Sequence, residues 1–153
     1  MASAPFENQR QHYVQRLDNA LRAGQIDQAF QIADEAVSKG FEDARLLSHA
    51  AYNRLNLGDV PAALALAERA REVAPRDVNV LNVLGLCLAK LGRHQDAVNV
   101  FNAAIRAAPT AVAPHYNKAC SLEELKEVIP ARTEFERTIA LQPIHADALA
   151  HLA

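Results

Sequence analysis

The sequence predicts an all-α chain built from antiparallel helix-turn-helix repeats, and three observations predict it. Pro75, Pro109 and Pro143 recur at a spacing of 34 residues. An alanine recurs at the same spacing, as Ala29, Ala63, Ala97 and Ala131. Gly24, Gly58 and Gly92 keep the period too, each shortly before one of those alanines. A period of this length is that of a two-helix unit, which buries its apolar face only by stacking on neighbours. Of the 153 residues, 50% are hydrophobic and only 5% aromatic, which suits an alanine-rich helical stack rather than a sheet.

Taken in order, the blocks hold one register. The first reads Tyr13, Leu17, Ala20, Gly24, Ala29, Ala33 and Ala36, with Phe41 in place of the closing proline. The second reads Leu47, Ala50, Ala51, Gly58, Ala63, Ala67, Ala70 and Pro75. The third reads Leu81, Leu84, Gly85, Leu88, Gly92, Ala97, Phe101, Ala104 and Pro109. The fourth reads His115, Lys118, Ala119, Leu122, Ala131, Phe135, Thr138 and Pro143, with Lys126 replacing the turn glycine. Lys118 takes a usually buried leucine position, from which its amine would snorkel to the rim or the helix would rotate. These blocks predict repeats at 10–43, 44–77, 78–111 and 112–145, after a flexible N-terminal segment at 1–9. Residues 144–153 then begin a fifth or capping helix, with Leu149 and Leu152 at core positions.

Local chemistry supports each element. Helices that cross closely need a small residue at the crossing, so Gly85 is expected to face Ala97, and Ala51 to face Ala63. Phe101 and Phe135 are expected to fill the space toward the next repeat. Asp59, Asp77 and Thr110 are expected N-caps, with Pro61 and Pro114 tolerated in first turns. Gly24, Gly58 and Gly92 supply turns within hairpins, and Gly40 ends the second helix of the first repeat.

The order in the third block (large residue, Leu-Gly, large residue, Ala, aromatic, Ala, Pro) resembles the signature of the tetratricopeptide repeat family. Only Leu81 departs, standing where that family usually has Trp. The resemblance runs from about His12 to Pro143, and it implies a right-handed α-solenoid whose first helices line a concave groove. By the same resemblance, the groove positions are Gln11, Val14, Asp18 and Leu21, then Arg45, Ser48, Tyr52 and Leu55. They continue with Asn79, Asn82, Leu86 and Ala89, then Ala113, Tyr116, Cys120 and Glu123, and Asn117 is added as a candidate contact. An extended peptide would be held by amides such as Asn79 and Asn82 while its side chains enter apolar pockets. Family members that hold the acidic tail of a chaperone use a basic clamp. Its positions here carry Val14, Asp18, His49, Asn79 and Val83 in one frame, and Ser48, Tyr52, Val83, Ala113 and Asn117 in the other. Neither frame supplies the cations, so chaperone-tail binding is disfavoured.

Other function classes are excluded on composition and motif. The length suggests one domain. Net charge is −2 with both signs interspersed, which leaves no electrostatic footprint for nucleic acid. No apolar run is long enough to span a bilayer, and the first residues lack the features of a signal peptide, so a cytoplasmic location is the expectation. Cys87 and Cys120 lie one register position apart on neighbouring first helices and read as buried thiols. His145 and His151 are six apart, not the spacing that sets two ligands on one helix face, so no metal and no cofactor is expected. His115 reads as a packed or rim histidine. Phosphate loops, nucleophile elbows and His-Glu-x-x-His are missing, and Asp34-Glu35 and Glu123-Glu124 read as solvated faces, so the chain is not expected to be an enzyme.

Three functions follow as expectations. The first is a non-catalytic scaffold that binds a peptide or protein partner in the groove. The second is an N-terminal docking segment of a larger bacterial glycosyltransferase or sulfotransferase, an analogy suggested by Pro143-Ile-His-Ala-Asp-Ala. The third is self-assembly, as a homodimer, through an unfinished C-terminal end.

Overall fold

The computed structural model describes residues 3–153. Among them lie nine α-helices and no strand. Contacts divide the chain into two compact units, one ending at Pro75 and one starting at Arg76.

The N-terminal unit holds α1 (Ala4–Arg22), α2 (Ile26–Ser38), α3 (Ala44–Asn56) and α4 (Val60–Val73), each packed on the next. Its core gathers Tyr13, Leu17 and Ala20 of α1, Ile32 and Ala33 of α2, Phe41, and Leu46 and Ala50 of α3. The stretch expected to be a flexible lead is mostly helix: α1 starts at Ala4, while residues 1–2 lie outside the described residues. Two contacts explain that early start. Phe6 lies with its ring centroid 4.6 Å from that of Phe41. Arg10 bridges Glu7 on its own helix to Asp43 at the start of α3.

The C-terminal unit holds α5 (Val78–Lys90), α6 (His94–Ala107), α7 (Val112–Glu124), α8 (Val128–Leu141) and α9 (Ala146–Leu152), again each packed on the next. The helices α3, α5, α7 and α9 start 34 residues apart, as do α2, α4, α6 and α8. One apolar cluster joins Val98, Ala119, Leu122, Ala131, Phe135 and Ala148. Full burial of a ring such as Phe101 or Phe135 contributes about 2–3 kcal/mol each.

Several local expectations change in the structure. A Cβ on Gly85 would sit 2.4 Å from Phe101 Cε1, so this glycine makes room for a ring. Asp59 and Asp77 accept backbone N–H bonds at the starts of α4 and α5. Asp43 caps α3 in the same way, which the pattern did not suggest. Thr110 caps nothing: α7 starts after Ala111, which offers no side-chain acceptor. In α9 the inward residues are Ala148, fully buried, and Leu152, whereas Leu149 is 46% exposed rather than in the core. Lys126 adopts φ 62° in the α7–α8 turn, the left-handed conformation its glycine counterparts Gly58 and Gly92 adopt at φ 81° and 76°.

Candidate functional site

Each unit presents a concavity that takes in expected groove positions. In the N-terminal unit a cavity of about 360 Å³ lies along α1 and α3, and its wall includes Gln11, Val14, Asp18 and Arg45. One turn spacing of three or four residues puts the α1 members on one helix face. The wall is polar, and two of its three arginines, Arg10 and Arg45, are engaged. Arg45 Nη1 donates to both carboxylate oxygens of Asp18, at 2.9 and 2.8 Å. Arg10 Nη1 donates to Asp43 at 2.9 Å.

In the C-terminal unit a cavity of about 370 Å³ includes Leu86 and Ala89 of α5, Phe101 of α6, and Asn117, Cys120 and Glu123 of α7. This wall is more apolar, because the α5 face carries short aliphatic side chains between polar ends. Lys90, His94 and His151 also reach it, and the register did not point to any of the three. His94 Nδ1 is buried there without a hydrogen-bond partner, among the described residues.

The expected site residues divide into reachable and unreachable. Arg45 and Asn79 are exposed, and Tyr52, Leu55, Leu86, Asn117 and Glu123 are half-buried. Ser48 is 1% exposed, and its hydroxyl donates to the Arg45 carbonyl, so it is a packed residue rather than a contact. Asn82 is 6% exposed and accepts from Asn117 Nδ2 at 2.9 Å, so its amide braces α5 against α7 instead of facing a ligand. Tyr116 packs among Phe135, His145 and His151, and burial followed by the Cys120 thiol pushes its hydroxyl up to about 12. Neither burial could be read from spacing, since it depends on which neighbouring helix leans over the position.

Two histidines, one on the cavity wall and one capping α9, have defined partners. His151 Nδ1 lies 2.9 Å from Glu123 Oε2, and its ring stacks on Phe135 with centroids 4.4 Å apart. His145 Nδ1 accepts from the Ala148 N–H and so caps α9. Cys87 is buried, and desolvation pushes its thiol up to about 12. Cys120 is only half-buried and is raised mainly by the same cause, so neither sulfur is poised as a nucleophile. Among the described residues, no group of His, Cys, Asp and Glu is placed to hold a metal ion, and no helix is long and apolar enough to cross a membrane.

Residues 49–112 match the family model for the tetratricopeptide repeat. That segment carries tetratricopeptide repeats. Solved structures with the same fold agree. YrrB, described as a tetratricopeptide repeat protein with an unusual peptide-binding site, is 22% identical, with a TM-score of 0.71 over 90% of this chain and 71% of its own. MamA from Desulfovibrio magneticus RS-1 is 20% identical, with a TM-score of 0.71 over 94% of this chain and 81% of its own. The first repeat domain of Spaghetti (RPAP3), solved with the HSP90 peptide SRMEEVD, is 16% identical, with a TM-score of 0.69 over 71% of this chain and 86% of its own. At these identities the likeness concerns the fold alone. Among curated proteins none matches the chain.

Proposed function

We propose that this tetratricopeptide repeat chain is a non-catalytic protein-interaction scaffold, and that it takes an extended peptide segment of a partner on its first-helix faces. One observation carries the reading: Leu86 and Ala89 of α5 and, one 34-residue repeat later, Cys120 and Glu123 of α7 line a single cavity of about 370 Å³. Its mixture of apolar wall and polar rim suits a peptide with an apolar side chain flanked by backbone amides. The peptide-binding descriptions of YrrB and of the Spaghetti domain are consistent with this use of the fold. The test is selection from a displayed random-peptide library, with an Ala89→Arg variant in parallel. Wild type is expected to enrich peptides around an apolar anchor, and the variant, with its cavity filled, is not. Equal enrichment by both proteins, with matched helicity, would sink the proposal.

A second reading, self-assembly through the C-terminal unit, is favoured by a specific observation. Val128 and Ile129 at the start of α8 are 69% and 81% exposed, and Leu149 of α9 is 46% exposed. Exposed apolar side chains on neighbouring helices favour association. Light scattering over a concentration series distinguishes the two, since a strict monomer at high concentration removes this second reading and leaves the first.

A further inference from the structure

The walls of the C-terminal cavity carry opposite charges at equivalent positions. Leu86, Ala89 and Lys90 are three and four residues apart, so they share one face of α5, and all three line the cavity. One 34-residue repeat later the same face of α7 carries Cys120, Glu123 and Glu124, which line it too. The mid-helix position stays apolar, as Leu86 and then Cys120. The helix-end position changes from a cation at Lys90 to an anion at Glu124. His94, the first residue of α6, stands beyond the turn that follows Lys90 and reaches the same cavity. An apolar stretch therefore separates a basic wall at the α5–α6 turn from an acidic wall at the end of α7.

The fold itself leaves these charges unused. Lys90 and Glu124 are both exposed, and among the described residues neither makes an ion pair, with the other or with any neighbour. Glu123 Oε2 lies 2.9 Å from His151 Nδ1. His94 Nδ1 is buried with no hydrogen-bond partner among the described residues. Helix polarity adds a second argument at α7. The C-terminal end of a helix carries partial negative charge, which favours a cation in the last turn and disfavours a carboxylate. The helices α1, α3 and α5 follow that rule with Arg22, Arg54 and Lys90. The last turn of α7 has no basic residue and holds Glu123 and Glu124 instead. A cation brought by a ligand would meet both carboxylates at the negative end of that helix.

We infer that the peptide held in this cavity carries an apolar side chain between an acidic residue and a basic one, seated in one charge order. The inference rests on the peptide-binding reading above and adds the chemistry of the ligand. The apolar side chain lies against Leu86, Ala89 and Cys120. The peptide carboxylate accepts from Lys90 Nζ and from His94 Nδ1, which is a donor in one of its tautomers. The peptide ammonium or guanidinium donates to Glu124 and Glu123. Residues two apart on an extended chain share a face, so the acid and the base stand on either side of the anchor. A peptide with two acids would set one against Glu124, and a peptide with two bases would set one against Lys90, so both are rejected.

The test is the displayed random-peptide selection, read for charge order and run on wild type and on the double variant Lys90→Glu, Glu124→Lys, which exchanges two exposed charges. Wild type is expected to enrich an acid on one side of the apolar anchor and a base on the other, in one order. The exchanged variant is expected to enrich the reverse order. Fluorescence anisotropy then compares the best wild-type peptide with a synthetic counterpart whose acid and base are swapped. Wild type should prefer the parent by roughly five-fold or more, since each exposed charge contact gives up to about five-fold, and the preference should shrink in high salt. Apolar-anchored peptides without a charge order overturn this inference and leave the peptide-binding reading standing, as does one order shared by both proteins. A selection that enriches nothing overturns both. A dimer in light scattering that the exchanged variant dissolves overturns the inference by assigning the cavity to a second copy. Should the exchanged variant not fold, Lys90→Ala is expected to enrich peptides without the acid, and retention of the acid overturns the inference.

Discussion

A Cβ at Gly85 would meet the Phe101 ring at 2.4 Å, well inside any real contact, so here the absence of a side chain is a steric requirement. Alanine normally improves a helix over glycine by roughly 1 kcal/mol, but overpacking a filled core costs about 1–3 kcal/mol. Gly85→Ala is therefore expected to lower the melting temperature by several degrees in thermal circular dichroism, and Gly85→Leu to unfold the C-terminal unit. An unchanged melt for the leucine variant would refute the packing. Lys126 presents the opposite case. Its φ of 62° places a side chain in the left-handed region, at a cost of about 1 kcal/mol. Lys126→Gly removes that strain, though the glycine adds freedom to the unfolded chain. A net gain of roughly 0.5 kcal/mol is expected in urea unfolding, and a loss would show that the lysine makes a contact worth more than its strain.

Among the elements, the α7–α8 hairpin departs furthest from the alanine-rich pattern. Where other blocks pack leucine against small residues, this one packs His115 and Lys118 against Glu134. Removing one member of a buried charge group leaves the others uncompensated, so Glu134→Gln is expected to cost about 3 kcal/mol near neutral pH. The pH sense follows from the direction of the shift. The folded state holds Glu134 below the ordinary glutamate value of 4.5, so the unfolded chain takes up the proton first as the pH falls. The stability from this group is present above that value and is lost as the pH drops through the depressed one. Urea midpoints measured across this acid range should therefore fall more steeply for wild type than for Glu134→Gln. Parallel slopes would remove Glu134 from the acid response.

For the molecule as a whole, the small net charge of −2 is matched by local pairing rather than by broad fields. Arg45 is held by Asp18 and Arg10 by Asp43, so of the three arginines on the polar cavity wall of the N-terminal unit only the exposed Arg22 has no ion pair among the described residues. Peptides with acidic ends are expected to gain there no more than the roughly five-fold that one exposed charge contact gives over scrambled neutral ones in fluorescence anisotropy. Asp18→Asn frees Arg45, and one exposed charge contact of about 1 kcal/mol corresponds to roughly a five-fold gain for the acidic peptide. A wild-type preference for acidic peptides well beyond that, or no gain in Asp18→Asn, would contradict this pairing argument.

The all-α hairpin pattern was legible because it is a matter of spacing. A proline, an alanine and a glycine returning every 34 residues impose a helix, a close crossing and a turn wherever they fall. The helix starts at 44, 78, 112 and 146 keep that interval. Candidate binding positions were legible only as faces, because three- and four-residue spacing tells which side chains share a stripe but not what covers it. Tertiary packing decided that Ser48 and Asn82 are closed off, that Leu86 and Cys120 meet in one cavity, and that the Phe101 ring lies against Gly85. It also paired His115 with a glutamate 19 residues away on the facing helix. Local sequence determines periodicity because backbone geometry is local. Burial and charge pairing depend on which surfaces meet across helices, and only the folded chain brings those together.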